Sequence, residues 1–304
     1  MPSNQFADTS CPGSKKKIIC WIAVALYTAA LPFVIYAFRV IEQHFPPPTA
    51  GRIALVIIAV LAAGYGMVCI KRKIASRCSI ILAAGALIVF GVVTFEDNAN
   101  KYIHIPEYIL MTWLLYRALV VDYRGSGIWL LVFICALMLG VVDELLQGIH
   151  PQRSYGWQDM IIDAVSSFIG ILSLLGLKAP PGRTWAWLKN LKHFKGALGV
   201  LLLGAAAAVP MGVYLFDVQH QGHFFGVYPP WLLAANGLAI AACLAAIIFH
   251  WRRRLGCVST APEIDQIALN NHTTAMLWVI CPLAILLCMH ALVVFVAVAG
   301  LKFR

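Results

Sequence analysis

The sequence predicts an all-α, polytopic transmembrane helical bundle of about nine spans with a cytoplasmic N-terminus. Three observations predict it: 61% of the 304 residues are hydrophobic and 12% charged, apolar runs recur along the chain, and basic residues cluster in alternate loops. A soluble domain does not have this composition. The runs are continuous rather than alternating, which favours helices over barrel strands, because a helix satisfies its own backbone hydrogen bonds in lipid.

Nine apolar runs are long enough to cross a hydrocarbon core, which takes roughly 20 helical residues. Their approximate limits are 18–41, 53–70, 79–95, 103–121, 128–147, 160–177, 197–216, 231–250 and 275–299. The basic triplet before the first run resembles the start of a signal peptide, but the run is long and no small-residue cleavage site follows. We therefore expect a retained first span.

Most basic residues fall in alternate loops, which orients the bundle by the positive-inside rule. They precede the first run and follow the second, fourth, sixth and eighth runs, for example at Lys15 to Lys17, Lys71 to Lys73 and Arg252 to Arg254. This predicts that the loops between spans three and four and between spans five and six lie outside. The formal charge of +10 therefore indicates membrane topology and not nucleic-acid binding.

The chain is predicted to divide into four regions. They are an N-terminal tail with the first transmembrane helix (1–52), a central transmembrane module (53–178), a basic cytoplasmic loop (179–196) and a C-terminal three-helix membrane region (197–304). The nine cysteines are scattered, and their spacing indicates neither a disulfide framework nor a paired zinc site.

Polar residues concentrate at the predicted outer ends of spans four and six. Lys101, His104 and Tyr108 open span four, and His104 shares a helical face with Tyr108 and with Glu107. Asp159 lies in the first turn of span six, where the helix dipole favours a carboxylate, and Asp163 lies one turn deeper on the same face.

Span five carries two adjacent carboxylates and an amide in its last turns: Asp143, Glu144 and Gln147. The negative end of the helix dipole disfavours both carboxylates there, and their mutual repulsion adds to that cost. Ionisable groups at membrane depth are functional candidates by default. We expect cationic partners for this pair, and the available ones are Lys101, His104 and Arg153.

These residues resemble the motifs of the VanZ-like family of bacterial membrane proteins, named for a teicoplanin-resistance protein. The matching positions are Lys101-x-x-His104-x-x-x-Tyr108, then Asp143-Glu144-x-x-Gln147, Arg153, Asp159 and Gly170, within Ile53 to Leu177. The sequence departs from the pattern at Asp163, where the family usually has Asn, and at Ser166, where it usually has Gly. The resemblance implies the bacterial cytoplasmic membrane, a cell-envelope role and lipoglycopeptide tolerance, with no settled reaction.

The leading hypothesis is a site on the extracytoplasmic face that binds or modifies an outer-leaflet amphiphile, such as a lipid headgroup, a lipid-linked sugar or a lipoglycopeptide. The candidate catalytic residues are His104, Asp143 and Glu144, as general acid or base groups. The candidate substrate-binding residues are Lys101, Tyr108, Gln147, Arg153 and Asp159, with Arg153 and Lys101 holding a phosphate. Binding alone is favoured over catalysis, and the oligomeric state is left open.

Three alternatives use the same residues. An ion- or proton-coupled transporter or flippase would load its cargo on the carboxylates, and a non-catalytic scaffold would use an ion-paired lock between spans four, five and six. A divalent metal could also bind the set His104, Glu107, Asp143, Glu144 and Asp159. A second outer cluster, formed by Asp217, His220, His223 and Tyr228, is interpreted as a solvated loop, and Asn236 and His290 as interhelical hydrogen-bond partners.

Overall fold

The computed structural model describes residues 12–45, 47–123, 127–150, 153–178, 195–221, 228–256 and 263–299, and these stretches are helical with short connections. The predicted all-α fold is confirmed. Eight helices are long and apolar enough to cross a membrane within the described part of the chain. Most of the predicted basic loop, residues 179–194, lies outside the described residues.

The first crossing and the next hairpin form one side of the bundle. Helix α1 (Pro12–Ala30), a 3₁₀ turn (Leu31–Phe33) and α2 (Val34–Glu42) form the first span, followed by α3 (Pro47–Lys71) and α4 (Ala75–Phe95). Only 11% of the apolar window of α3 and 6% of that of α4 is buried inside the protein. Apolar side chains on these helices therefore face outward, as expected for lipid contact.

Three helices form the centre of the module: α5 (His104–Leu119), α6 (Ile128–Ile149) and α7 (Trp157–Leu177). In α6, 72% of the apolar window is buried. Helix α5 packs most extensively against α7, and also against α1 and α6. A 3₁₀ helix (Ala99–Ile103) leads into α5.

The predicted fourth span is shorter than expected. Helix α5 has 16 residues, about 24 Å, and falls short of the length of the eight long spans. It nevertheless reaches the opposite end of the bundle: Asp122, just beyond it, pairs with Lys17 at 2.5 Å, and Lys178 after α7 donates to Tyr116. A short, partly polar helix is tolerated here because other helices surround it.

The C-terminal region is joined to the module mainly through one long helix. Helices α8 (Lys195–Gln221), α9 (Pro230–Gly256) and α10 (Glu263–Val298) pack on one another, and α10 also lies along α6. The rings of Trp21 and Trp278 stack with centroids 3.5 Å apart. Helix α10 begins at Glu263 rather than at residue 275, because its polar first turns continue the helix beyond the apolar run.

One disulfide corrects the expectation that the cysteines form none. Cys69 and Cys78 are bonded across the turn between α3 and α4, with Cα atoms 6.2 Å apart. Lys73 in this turn has a left-handed backbone with φ of 57°, which folds the chain back tightly. Sequence spacing missed the pair because the sharpness of the turn decides whether nine residues bring two cysteines together.

Candidate functional site

The site lies at the end of the bundle where α5 and α7 begin and α6 ends. Four ionisable residues meet there with 2% or less of each exposed: His104, Asp143, Glu144 and Asp163. Asp143 is six residues from the end of α6 and Asp163 six residues from the start of α7, so both lie about 9 Å inside their helices. The cluster is therefore enclosed by protein below the helix ends.

The two carboxylates of α6 are each held through a single oxygen. Asp143 Oδ2 accepts hydrogen bonds from the Tyr108 hydroxyl at 3.1 Å and from Gln147 Nε2 at 2.9 Å. Glu144 Oε2 accepts from the backbone N–H of Gly156 at 3.0 Å, so the segment before α7 crosses over this carboxylate. The other oxygens, Asp143 Oδ1 and Glu144 Oε1, have no hydrogen-bond partner among the described residues.

His104 connects α5 to α7 through Asp163. His104 Nδ1 lies 3.0 Å from Asp163 Oδ1 and 3.9 Å from Glu107 Oε2. Asp163 Oδ2, like the free oxygens on α6, has no hydrogen-bond partner in the described part of the chain. A Cβ on Gly140 would lie only 3.4 Å from this same oxygen and from the Tyr108 ring. The glycine thus lets α6 and α7 approach closely beside the cluster.

Lys101 has partners other than the expected ones. Its Nζ lies 3.1 Å from Asp159 Oδ1 and 3.1 Å from Glu96 Oε2, and it donates to Gln158 Oε1 at 2.8 Å. Burial alone would lower the pKa of Lys101, but the nearby carboxylates of Asp159 and Glu96 outweigh it, and the pKa is raised. Lys101 therefore ties the start of α5 to the start of α7 at the rim of the cluster.

Arg153 makes no direct ion pair with the α6 carboxylates among the described residues, but its charge is close enough to interact electrostatically with Asp143. Its backbone N–H donates to the carbonyl of His150 at 3.1 Å, while its Nε is buried with no hydrogen-bond partner among the described residues. Within the same part of the chain, neither Asp143 nor Glu144 has a salt bridge. The direct ion pairs therefore differ from those expected for the ion-paired lock, because Lys101 lies against carboxylates nearer the helix ends.

The structure brings most of the predicted site residues together and adds others. Asp163 is the main addition: sequence reasoning placed it one turn below Asp159 but did not include it in the site. Its distance from His104 depends on how α5 and α7 pack. Gly156 and Gln158 also contribute, through a backbone N–H and a side-chain oxygen. The sequence feature that could have identified Asp163 as a site residue is its position deep in span six, because a carboxylate inside an apolar span needs a partner.

The other predicted polar positions lie elsewhere. Asn236 Nδ2 donates to the carbonyl of Leu287 at 3.3 Å, which confirms its interhelical bond. His290 is 1% exposed and neither ring nitrogen has a hydrogen-bond partner among the described residues, so that expectation is wrong. Asp217, His220 and His223 lie outside the residues whose side chains are described.

The chain matches no family model, no curated protein and no solved structure. The chemistry of the site therefore has to be argued from its own residues. The eight long apolar helices of the described chain show an integral membrane protein, and the buried polar cluster at one end of the bundle is its candidate functional feature.

Proposed function

We propose that this chain is a VanZ-like integral membrane protein of the bacterial cell envelope. In this proposal the cluster at the start of α5 and α7 faces the extracytoplasmic side and binds the phosphate-bearing headgroup of an outer-leaflet amphiphile. The orientation is supported by the basic loops, and the family by the residues Lys101, His104, Asp143, Glu144 and Arg153 at their motif spacing.

The observation that carries the proposal is the buried Nε atom of Arg153, a half-buried side chain on the segment that leads to Gly156 and α7. Arg153 Nε has no hydrogen-bond partner among the described residues, and three residues further on Gly156 contacts Glu144. Buried polar groups in native proteins are nearly always satisfied, so an unused arginine donor at the rim of a polar cluster supports a ligand there. Arginine binds phosphate oxygens through charge-assisted hydrogen bonds.

The position of the cluster fits a lipid-borne ligand. It lies about 9 Å inside α6 and α7, whose lengths of about 33 and 32 Å match a hydrocarbon core of about 30 Å, so a ligand has to reach below the headgroup layer, as a molecule already in the membrane can. Lys101 at the rim is held by Asp159, Glu96 and Gln158, so Arg153 is the nearby cation with a donor to offer. Binding is proposed rather than a reaction.

Native mass spectrometry of the detergent-solubilised protein tests this binding. Phosphatidylglycerol and a polyprenyl phosphate are the probes, and Arg153→Gln is compared with Arg52→Gln, which removes an exposed arginine at the same predicted face. We expect one phosphate-bearing lipid on the wild type and on Arg52→Gln, and at least about 10-fold less on Arg153→Gln, since a charged hydrogen bond is worth about 1.5–3 kcal/mol. Equal lipid retention in all three proteins would contradict the proposal.

A cellular test addresses the envelope role that the resemblance implies. Expression in a teicoplanin-susceptible bacterium is expected to raise tolerance, and Glu144→Gln is expected to abolish the gain while leaving membrane insertion intact. Gln keeps the shape of Glu144 and an oxygen able to accept from Gly156, so loss of tolerance would report the missing charge. Full tolerance in a normally inserted Glu144→Gln protein would remove this carboxylate from the function.

A further inference from the structure

We propose that His104, Asp143, Glu144 and Asp163 together bind one divalent first-row transition-metal ion, of which Mn²⁺ is the probe. The four side chains come from α5, α6 and α7, and each offers one ligand atom within 4.8 Å of those of the others. This site differs from the ligand set expected from sequence, because Asp163 replaces Glu107 and Asp159. It stands whether or not the cluster also binds an amphiphile.

The spacing of the ligand atoms is close to that around a single ion. Metal–ligand bonds to imidazole nitrogen and carboxylate oxygen are about 2.0–2.2 Å, so four ligands arranged tetrahedrally around one ion lie about 3.3–3.6 Å from one another. The 4.8 Å limit of the cluster therefore exceeds the bound arrangement by about 1.2–1.5 Å. The side chains have to draw in around the ion when it binds.

The carboxylate oxygens without a hydrogen-bond partner are stronger evidence for a ligand than the clustering of the residues. Each of the three carboxylates has one oxygen held by the protein and one oxygen without a hydrogen-bond partner among the described residues: Asp143 Oδ1, Glu144 Oε1 and Asp163 Oδ2. All three residues are 2% exposed or less, so water does not reach these atoms from the surface. Buried polar atoms without partners need an explanation.

The held oxygens supply the orientation that metal sites require. Tyr108 and Gln147 fix Asp143 and the Gly156 N–H fixes Glu144 from outside the ligand set, while His104 and Asp163, both proposed ligands, contact each other. Metal-ligating carboxylates and imidazoles are usually oriented by such outer hydrogen bonds, whose removal weakens metal binding by about 10–100-fold. The protein thus restrains one side of each carboxylate and leaves the other available.

Charge gives an independent reason for a cation. Three buried carboxylates carry up to three negative charges, and the described chain supplies no salt bridge to Asp143 or Glu144. An uncompensated buried charge is costly, so buried carboxyl groups are neutralised either by protons or by a cation, and one divalent ion can do this for several carboxylates at once. Lys101 cannot take this place because it is engaged with Asp159 and Glu96.

The donor set selects the class of ion. One imidazole nitrogen with three carboxylate oxygens suits Mn²⁺, Fe²⁺ or Zn²⁺, whereas Mg²⁺ and Ca²⁺ prefer oxygen ligands alone and Cu(I) prefers sulfur. Mg²⁺ also retains several waters, which a fully enclosed cluster does not accommodate. We therefore expect Mn²⁺ to bind in the presence of excess Mg²⁺ and Zn²⁺ to displace it, following the usual order of affinities.

Metal titration of the intact, detergent-solubilised protein tests the site after treatment with a chelator. Electron paramagnetic resonance counts free Mn²⁺ during the titration, and thermal unfolding with and without Mn²⁺ gives a second readout. The variants are Asp163→Asn and Glu144→Gln, which keep side-chain shape. The matched control is Asp122→Asn, which removes a carboxylate at the opposite end of the bundle.

We expect one Mn²⁺ per chain in the wild type and in Asp122→Asn, with a higher unfolding temperature when the ion is bound. Asp163→Asn and Glu144→Gln are expected to bind at least about 10-fold more weakly. A wild type that binds neither Mn²⁺ nor Zn²⁺ would overturn the proposal, as would either variant binding as well as the wild type. If the variants do not accumulate in the membrane, the wild-type ion count and thermal shift decide alone. Lipid retention is scored separately, so failure of the metal site does not decide the amphiphile proposal.

Discussion

Replacing Gly170 by alanine is expected to force apart the two helices that carry His104 and Asp163. Gly170 lies on α7 where it faces Thr112 of α5, and an added Cβ would stand 2.7 Å from Thr112 Cβ and 3.0 Å from its Cγ2. Nonbonded carbon atoms prefer separations of about 3.5–4.0 Å. The two helices must therefore separate locally by about 1 Å, and the packed α5–α7 face cannot yield through a flexible side-chain end.

The size of the effect follows from two opposing contributions. Overpacking of this kind costs about 1–3 kcal/mol, while replacing glycine by alanine in a helix gains about 0.8–1 kcal/mol. Gly91→Ala in α4 is the matched control, because an added Cβ there meets nothing within 4 Å. The control receives only the gain, so the difference in unfolding free energy between the two variants is expected to be about 1–3 kcal/mol.

Reversible unfolding in mixed detergent micelles, followed by circular dichroism, measures this difference. Gly170→Ala should unfold more readily than Gly91→Ala, and it should also bind Mn²⁺ more weakly, because His104 and Asp163 move apart with their helices. Equal stability of the two variants would refute the close α5–α7 contact. Lower stability with unchanged Mn²⁺ binding would leave the contact in place but refute its coupling to the site.

Three further predictions address the rim, the orienting hydrogen bonds and the disulfide. Lys101→Met should lower the free energy of unfolding by about 1–2 kcal/mol. Because the pKa of Lys101 is raised in the folded state, this difference from the wild type should hold at neutral pH and shrink only as the pH rises above about 10.4. A difference already lost at pH 8 would contradict this prediction. Gln147→Leu should weaken Mn²⁺ binding about 10-fold in the titration, because it removes the hydrogen bond from Gln147 to the Asp143 carboxylate. Unchanged affinity would show that this hydrogen bond does not orient a metal ligand. Replacing Cys69 and Cys78 by alanine should lower the unfolding free energy by about 2–3 kcal/mol, from the entropy of closing a short loop, and an intact-mass measurement that finds both thiols free in the wild type would contradict the bond.

The helices were predictable because hydropathy reports which segments can enter lipid. The predicted limits 128–147 and 160–177 lie close to Ile128–Ile149 and Trp157–Leu177. Hydropathy does not report where a helix continues as a polar segment, which is why α10 begins at Glu263. It also did not reveal that α5 is short, because its apolar run extends past the point where the backbone leaves the helix.

The candidate site was partly predictable for a different reason. Charged residues in an apolar sequence stand out, so His104, Asp143 and Glu144 could be identified without a structure. The ion pairs between these residues could not be predicted. Lys101 lies 3.1 Å from Asp159 and not beside Glu144 because of the way α5 and α7 pack. Asp163 was not predicted as a site residue for the same reason. Its place in the cluster depends on how three helices pack together, and the spacing of residues along one helix does not reveal that packing.

The most direct test of whether this cluster is a ligand site is native mass spectrometry of the gently solubilised protein. It compares the wild type with the Asp143→Asn, Glu144→Gln double variant. The substitutions preserve shape and remove two carboxylates that have no salt bridge in the described chain. We expect a discrete adduct on the wild type, with the mass of a divalent ion or a phosphate-bearing lipid, that is absent from the double variant. Identical adducts on both proteins, with no ion on either, would contradict it.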